Sequence, residues 1–276
     1  LRRNFEFSIT PLYGSKSSSF NGTFISKYTR YFENSNIDRI FYSLAGSNLH
    51  YAEGLSYNSV NQRITVQFRR KNLRDAGGSF LSARLVNINR EINSEDQKLD
   101  SDKYQIFKLR YYFNKPSVIR GLKYSVGTEF GNKYSKAMGE IRYRKLTSRN
   151  TQVDFRLYAG TFLKNNTSSN FFSFGLDRAN DYLYELNYIG RSESSGLLSQ
   201  QFIMAEGGFK SVLDQRFAND YLVSFNSSIG LWRWLEFYND IAFLKNNGDS
   251  IFFAYENGIR LNFIHNIFEI YFGMFS

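Results

Sequence analysis

The chain has 276 residues, a formal net charge of +10, and a composition that is 42% hydrophobic and 18% aromatic. It contains no cysteine, which excludes a disulfide framework or a thiolate site within it. No apolar stretch approaches the roughly 18 residues that a membrane-spanning helix requires. The cations occur singly inside alternating segments rather than as a continuous patch, so we expect no nucleic-acid partner.

Segments in which apolar and polar residues alternate follow one another along almost the whole chain. Successive side chains of a strand point to opposite faces, so each segment presents one apolar and one polar face. The alternation is clearest at 119–131, 151–163 and 219–231. We predict strands near 4–13, 20–31, 38–47, 61–71, 79–90, 102–114, 119–131, 135–146, 151–163, 170–178, 197–210, 219–231, 234–245, 250–264 and 266–274.

Strand length and the charges within the strands indicate the fold class. Strands of a soluble sandwich are typically about 5–6 residues long, whereas many segments here have ten or more. Charged residues also lie in the middle of the polar faces, so one face must stay hydrated along the strand. We expect the apolar face to meet lipid at Tyr124, Val126, Phe155, Leu157, Val223 and Phe225. We expect the polar face to line a lumen at Glu140, Arg142, Arg144, Asp154 and Arg156.

The predicted fold is therefore all-β: a transmembrane outer-membrane β-barrel with antiparallel strands, formed as one domain by residues 1–276. We expect about 14–16 strands, and single-chain bacterial barrels usually have an even number. The chain contains about fifteen such segments, which is an odd number. This count implies either one misread strand or a closing strand beyond Ser276, and we favour the second. The soluble rival is a large β-sandwich or β-solenoid.

The longest polar connection, near 177–196, predicts a loop or plug. It belongs to a run, 172–214, in which cations and carboxylates alternate. One interpretation is an ion-pair network that folds the loop against the inner wall, and the other is a surface that docks a partner domain. The residues of this candidate site are Asp177, Arg178, Asp181, Arg191, Glu193, Glu206 and Lys210. The Glu-Gly-Gly sequence at 206–208 predicts a bulge or kink within a wall strand.

A second cluster places four cations within six residues at the end of a predicted strand. Arginine forks match phosphate oxygens, so the cluster is a candidate contact for lipid phosphates. The alternative is a hydrated rim that keeps the strand end in water. Its residues are Arg69, Arg70, Lys71 and Arg74.

The sequence offers no recognisable catalytic or metal-binding motif. The only histidines, His50 and His265, lack the spacing of a zinc hydrolase helix. No G-x-S-x-G elbow is present. A serine–histidine pair in the barrel wall stays open as a hypothesis and would require one of the two histidines.

Three stretches of the sequence resemble a known family. Residues 69–75, the run 177–214 with its segments 190–193 and 205–211, and residues 258–263 are similar to the C-terminal barrel of Bacteroidota outer-membrane proteins of the gluzincin (membrane alanyl aminopeptidase-like) metallopeptidase family. The resemblance implies that this chain is the C-terminal part of a longer one, with a zinc-binding peptidase-like domain before it. It also implies a further strand after Ser276. None of the family's zinc ligands has a matching position here.

These observations predict an anchoring or scaffolding barrel that does no chemistry itself. It would hold a peptidase-like domain or a partner complex at the outer membrane of a Gram-negative bacterium. The expected partners are outer-membrane lipid and lipopolysaccharide, the chain's own N-terminal soluble domain and other outer-membrane subunits. We expect no cofactor in this chain, with zinc confined to the absent domain. The alternative function is a porin-like or transport channel.

Overall fold

Long antiparallel strands account for most of the chain in the computed structural model. The structure describes residues 2–14, 19–52, 55–70, 77–92, 103–149, 151–186, 202–264 and 268–275. The strands are β1 (Arg3–Gly14), β2 (Ser19–Tyr31), β3 (Ile37–Ala52), β4 (Leu55–Phe68), β5 (Gly78–Ile92), β6 (Lys103–Lys115), β7 (Arg120–Gly131), β8 (Tyr134–Leu146), β9 (Gln152–Asn165), β10 (Phe174–Gly175), β11 (Phe217–Ala218), β12 (Tyr221–Trp232), β13 (Leu235–Lys245), β14 (Phe252–Ile264) and β15 (Phe268–Phe275). One short 3₁₀ turn covers Asn170–Phe172. Among the described residues, no helix is long and apolar enough to cross a membrane.

Thirteen of these strands form one sheet in the described part of the chain. Each strand from β1 to β9 pairs with the next, β9 pairs with β12, and the order continues to β15. Among the described strands, the two-residue strands β10 and β11 pair only with each other. Strand neighbours in sequence are therefore neighbours in space, except where the chain between β9 and β12 leaves the sheet.

The two faces of the sheet differ as the alternation predicts. Every one of the thirteen strands contributes at least one large apolar side chain that is exposed on the outer face, such as Val126 at 61% and Leu157 at 44% exposure. The register places these side chains in continuous rows, one of which joins Phe113, Tyr124, Ile141, Leu157 and Phe225 across five strands. The opposite face carries the polar and charged residues of the same strands.

The chain between β9 and β12 lies against this polar inner face. We call its described parts, residues 166–186 and 202–220, the inner segment. Its side chains Phe174, Leu176 and Phe209 are at most 1% exposed and pack against inward residues of the sheet. The sheet thus has apolar side chains outside and a polar inner face that the inner segment covers in part, which confirms the predicted all-β, antiparallel outer-membrane barrel.

Two of the predicted strands are wrong as wall strands. The segment 170–178 contains only the 3₁₀ turn and β10, and residues 202–210 contain no strand. The apolar residues at 172, 174 and 176 mimic a strand face. In the structure all residues from 172 to 176 are buried, because the segment has the wall on one side and the rest of the inner segment on the other. Residues 187–201 lie outside the described part of the chain.

The predicted bend of the wall at 206–208 is also wrong. These residues belong to the inner segment, where Gly208 adopts a φ of +78°. A left-handed backbone is accessible to glycine without steric cost, so the Gly-Gly pair serves a tight turn of the inner segment rather than a bulge in a strand.

Candidate inner-segment anchor and lumen cavity

Two apolar clusters fix the inner segment to the wall. Phe174, Leu176 and Phe209 pack on inward residues of β9, β12, β13 and β14. On the other side, Phe172 and Tyr182 pack against inward residues of β5, β6 and β8, including Ile106. The inner segment therefore joins strands that are distant from each other in the sheet, and both clusters remove its apolar side chains from water.

A buried carboxylate forms the centre of the second attachment. Glu129 on β7 is 0% exposed and accepts hydrogen bonds from the hydroxyls of Tyr134 at 2.6 Å and Tyr182 at 2.8 Å. Burial and the nearby Glu129 carboxylate raise the pKa of the Tyr182 phenol well above its usual value, so the phenol stays protonated and donates. Lys136 lies 3.8 Å from the same carboxylate and donates to the backbone oxygen of Phe172 at 3.0 Å.

Lys136 therefore binds the wall and the inner segment at once. It is 1% exposed, and its ammonium lies 4.6 Å from the ring centre of Tyr182 and 5.0 Å from that of Phe174. A buried ammonium is stable only when charge and hydrogen-bond partners replace water. Glu129, the Phe172 carbonyl and the two rings supply them.

A second ionic attachment holds residues 206–211. Lys210 forms an ion pair with Asp240 on β13, and the backbone N–H groups of Lys210 and Ser211 each donate to Glu256 on β14 at 3.0 Å. Both wall carboxylates are 0% exposed. Asn226 on β12 donates to the Gly207 oxygen and to Asp240, each at 2.9 Å.

The two glycines of this turn are required by close contacts. A Cβ at Gly207 would lie 2.4 Å from the Leu176 Cδ1 atom and 2.7 Å from the Leu176 backbone. A Cβ at Gly208 would lie 2.8 Å from the Asn226 side chain. The Gly207 N–H donates to the Gly175 oxygen at 2.8 Å, so backbone meets backbone here and leaves no room for a side chain.

The far end of the inner segment reaches β4 and β5. The Tyr184 ring stacks on Tyr57 with centroids 3.7 Å apart. The Glu185 carboxylate forms ion pairs with Arg84 and, at 3.7 Å, with Arg63. This carboxylate lies between two arginines that the register places directly opposite each other on neighbouring strands.

A cavity of about 350 Å³ remains between the inner segment and the wall. Its lining includes Pro116 and Ser117 in the turn between β6 and β7, which places it at the end of the sheet where that turn lies. The turn that carries Trp232 and Trp234, between β12 and β13, is at the same end, which we call the tryptophan end. Six of the lining residues are cations and two are carboxylates: Lys123, Arg142, Arg144, Arg156, Lys210, Arg260, Asp154 and Asp240.

The predicted loop residues make different kinds of contact in the structure. Asp177 accepts from the Arg216 Nε at 3.0 Å and from the Leu213 N–H at 3.2 Å. Asp181 accepts from the N–H groups of Glu185 and Leu186, which closes a local turn. These contacts fold the inner segment onto itself.

Glu206 and Lys210 hold the inner segment together and to the wall, whereas Arg178 is exposed. Glu206 accepts from the Gly175 N–H at 3.0 Å, and its backbone oxygen accepts from Ser224 on β12 at 3.2 Å. Arg191 and Glu193 lie outside the described residues. Among the described residues of this candidate site, Asp177 and Lys210 thus form separate ion pairs, and both the ion-pair network and partner docking stay predictions.

The predicted lipid-phosphate cluster is described only in part. Arg69 and Arg70 are exposed at the end of β4, and Lys71 and Arg74 lie outside the described residues. The Arg69 guanidinium donates to the Phe32 oxygen, and its N–H donates to the Asn36 oxygen at 2.8 Å. Arg69 therefore braces the neighbouring turn between β2 and β3, and a contact with lipid phosphate stays a prediction.

The histidines were the residues on which wall catalysis would depend. His50 lies at the exposed end of β3, where its imidazole Nδ1 is 3.3 Å from the Asn21 Oδ1, and its cross-strand neighbour is Ser56. His265 is outside the described residues. Among the described ranges, no group of three or more His, Cys, Asp or Glu side chains is arranged to hold a metal ion.

Sequence reasoning missed the residues that hold the inner segment most tightly. Glu129, Lys136, Asp240 and Glu256 looked like ordinary members of hydrated strand faces. The available signal was their position: each is a charged residue at an inward position of a long strand, where burial of a plug would place it.

No protein-family model matches the chain, and no curated protein matches it. Among solved structures, the chain is similar to CdiB from Acinetobacter baumannii, with 11% sequence identity and a TM-score of 0.41. That alignment covers 99% of this chain and 50% of the CdiB chain, so the chain spans about half the length of that protein. The exposed apolar side chains on the outer face of the chain's own sheet indicate contact with a membrane.

Proposed function

We propose that this chain is an outer-membrane anchor: a barrel whose interior is occupied by its own inner segment and which holds a larger protein or complex at the membrane. The observation that carries the proposal is the attachment of the inner segment to the wall through buried charges. Glu129, Lys136 and Asp240 are each at most 1% exposed and all contact the inner segment. A barrel built mainly for conduction gains nothing from filling its interior with such contacts.

The proposed identity of the anchored part rests on the resemblance. Similarity of 69–75, 177–214 and 258–263 to the barrel of gluzincin-type outer-membrane proteins supports a peptidase-like domain before this chain. Zinc would then be bound by that domain. The other proposed partners are outer-membrane lipid, lipopolysaccharide and further subunits of an outer-membrane complex.

The mass of the protein extracted from its native membrane tests the anchoring role. We expect a mass well above the 32.3 kDa of this chain, with HExxH-bearing peptides upstream of Leu1. A mass near 32.3 kDa would contradict the attached domain, and a larger mass without such peptides would contradict its peptidase-like nature.

A second candidate function, a channel, is favoured by one specific observation. The inward residues near the start of the sheet, such as Glu6 and Ser8 on β1, are exposed, unlike those of β12 and β13. Part of the inner face is therefore open to water.

Conductance in planar bilayers separates the two functions. For an anchor, the unaltered protein should give small or no steps, and deletion of residues 170–218 should give large ones. The deletion variant also shows that the barrel has inserted. Large steps from the unaltered protein would instead identify a channel.

A further inference from the structure

The wall of the cavity at the tryptophan end carries a row of like charges. In the strand register, Lys123 on β7 lies directly opposite Arg142 on β8, and Arg142 lies directly opposite Arg156 on β9. All three line the cavity. Side chains directly opposite each other on one face are about 4.5–5.5 Å apart at Cβ, and like charges in such pairs repel. We call these three residues the cation row.

One carboxylate serves the whole cation row. Glu140 accepts from the Arg142 Nε at 2.7 Å and from the Arg156 Nε at 2.5 Å. Lys123 has no hydrogen bond or ion pair with any described residue. The neighbouring Asp240 is already bound to Lys210 of the inner segment. Three cations and one carboxylate leave an excess of two positive charges.

A second row of cations in the same barrel shows how such an excess of positive charge is compensated elsewhere. Arg63, Arg84 and Lys108 also lie opposite one another on three neighbouring strands. There the inner segment inserts Glu185 between Arg63 and Arg84, and Glu129 lies 3.4 Å from Lys108. At the cation row, the described part of the inner segment places no such carboxylate, and the cavity lies there instead.

We propose that the cavity is a binding site for a small phosphorylated molecule, with its phosphate group on the cation row. A phosphate group carries a charge of about −1.5 to −2 at pH 7, which matches the excess of the row. Arginine binds phosphate oxygens through paired N–H groups, and Lys123 adds a mobile point charge.

Cavity shape supports a ligand larger than free phosphate. The volume of about 350 Å³ lies within the range of small-molecule pockets, about 300–1,000 Å³. The row runs from a deep to an open position, since the Arg156 side chain is 9% exposed and that of Arg142 is 50% exposed. The bound group can therefore enter from the tryptophan end and reach a desolvated arginine. This site goes beyond the anchoring role and does not depend on it.

Calorimetric titration of the purified barrel in detergent tests the site. Inorganic phosphate is the minimal probe and glycerol 3-phosphate the ester probe, both against sodium chloride at matched ionic strength. We expect one site per chain and binding that Lys123→Gln weakens about tenfold to a hundredfold, the loss expected for one charge-assisted contact. Lys164→Gln removes the same charge from an exposed position on β9 at the opposite end and should leave binding unchanged.

Thermal unfolding in the same solutions tests whether the substitution disturbs folding. Lys123→Gln relieves repulsion within the row, so the variant should unfold at an equal or higher temperature without phosphate and gain less from phosphate than the unaltered protein does. Tighter binding of glycerol 3-phosphate than of inorganic phosphate supports a phosphate ester as the ligand, whereas tighter binding of inorganic phosphate would overturn the ester and leave a site for the free ion. Equal stabilisation by chloride would show that salt screening is the whole effect and would overturn the site. Absence of binding heat for both probes would overturn it as well.

Discussion

At the scale of single residues, the environment of a side chain depends on its face and on whether the inner segment covers that face. Leu157 on the outer face is 44% exposed, as expected for contact with lipid. Ser224 and Ser125 lie on the inner face, yet they are only 1% and 9% exposed. The inner face of the barrel is thus polar without being hydrated everywhere.

Arginine substitutions test this difference between the environments of the two faces. Leu157→Arg near the middle of β9 should lower the free energy of unfolding by about 2–4 kcal/mol, because it places a charge in lipid. Ser224→Arg should also destabilise, by at least about 2 kcal/mol, since the new side chain meets the inner segment. Ser8→Arg, on the exposed inner face of β1, is the control and should stay within about 0.5 kcal/mol. Denaturant unfolding in lipid vesicles measures all three, and equal losses would refute the assignment of faces.

Glu129 is the residue whose substitution should destabilise the interior of the barrel most. Glu129→Gln leaves the buried Lys136 ammonium without its counter-charge, and breaking such a pair costs about 3–5 kcal/mol. The double variant Glu129→Gln/Lys136→Met removes both charges and should regain much of the loss. A double-mutant cycle of unfolding free energies measures the coupling. Additive effects of the two substitutions would mean that the pair is not coupled.

At the scale of elements, the inner segment behaves as a folded unit held by the wall. Within the part of the chain that the structure describes, its two short strands pair only with each other, and its attachments involve strands from β4 to β14. Because the turn at Gly207 and Gly208 brings its backbone against Leu176 and Asn226, one enlarged side chain there should release it from the wall without changing any strand.

Gly207→Val is the corresponding test. Its side chain would overlap Leu176, so residues 202–211 should lose their attachment and become cleavable by a protease added to the folded barrel. Gly22→Ala is the matched control, because nothing lies within 4 Å of a Cβ at that position. Mass spectrometry of the limited digest locates the cuts. An unchanged digest of the Gly207 variant would mean that the turn does not hold the segment.

At the scale of the whole molecule, the outer face has a distinct interfacial end. The chain contains only two tryptophans, and both lie at the tryptophan end with 62% exposure for Trp232 and 41% for Trp234. Trp234 stacks on Phe263 with centroids 5.5 Å apart, and Phe263 stacks on Phe268 at 5.5 Å. Such an aromatic group is typical of the membrane–water interface.

Tryptophan fluorescence can place this end in the bilayer. In vesicles of brominated lipids, quenching should be strongest when bromine lies near the headgroups and weak when it lies at the bilayer centre. Trp232→Phe and Trp234→Phe, made singly, assign the signal to one residue or the other. Strongest quenching by deep bromine would contradict the interfacial position, and no quenching would contradict membrane insertion.

Much of the wall was predictable because strand alternation is a local property. Residues such as Val126, Leu157 and Phe225 point outward wherever their strands are placed, so the fold class and the lipid face follow from spacing alone. The errors fell on 170–178 and 202–210, where apolar residues pack inside the barrel. Alternation cannot distinguish a strand that has lipid on one side from a segment that has protein on both.

Sequence alone therefore determines that this chain is an antiparallel barrel wall with a lipid face, because the direction of each side chain in a strand depends only on its neighbours along the chain. Only the tertiary structure decides which charges meet. Glu129 and Tyr182 are separated by 53 residues, and Lys210 and Glu256 by 46. The cation row depends on the register of three strands. Such contacts arise from the closing of long loops and from strand pairing, which the local pattern does not encode.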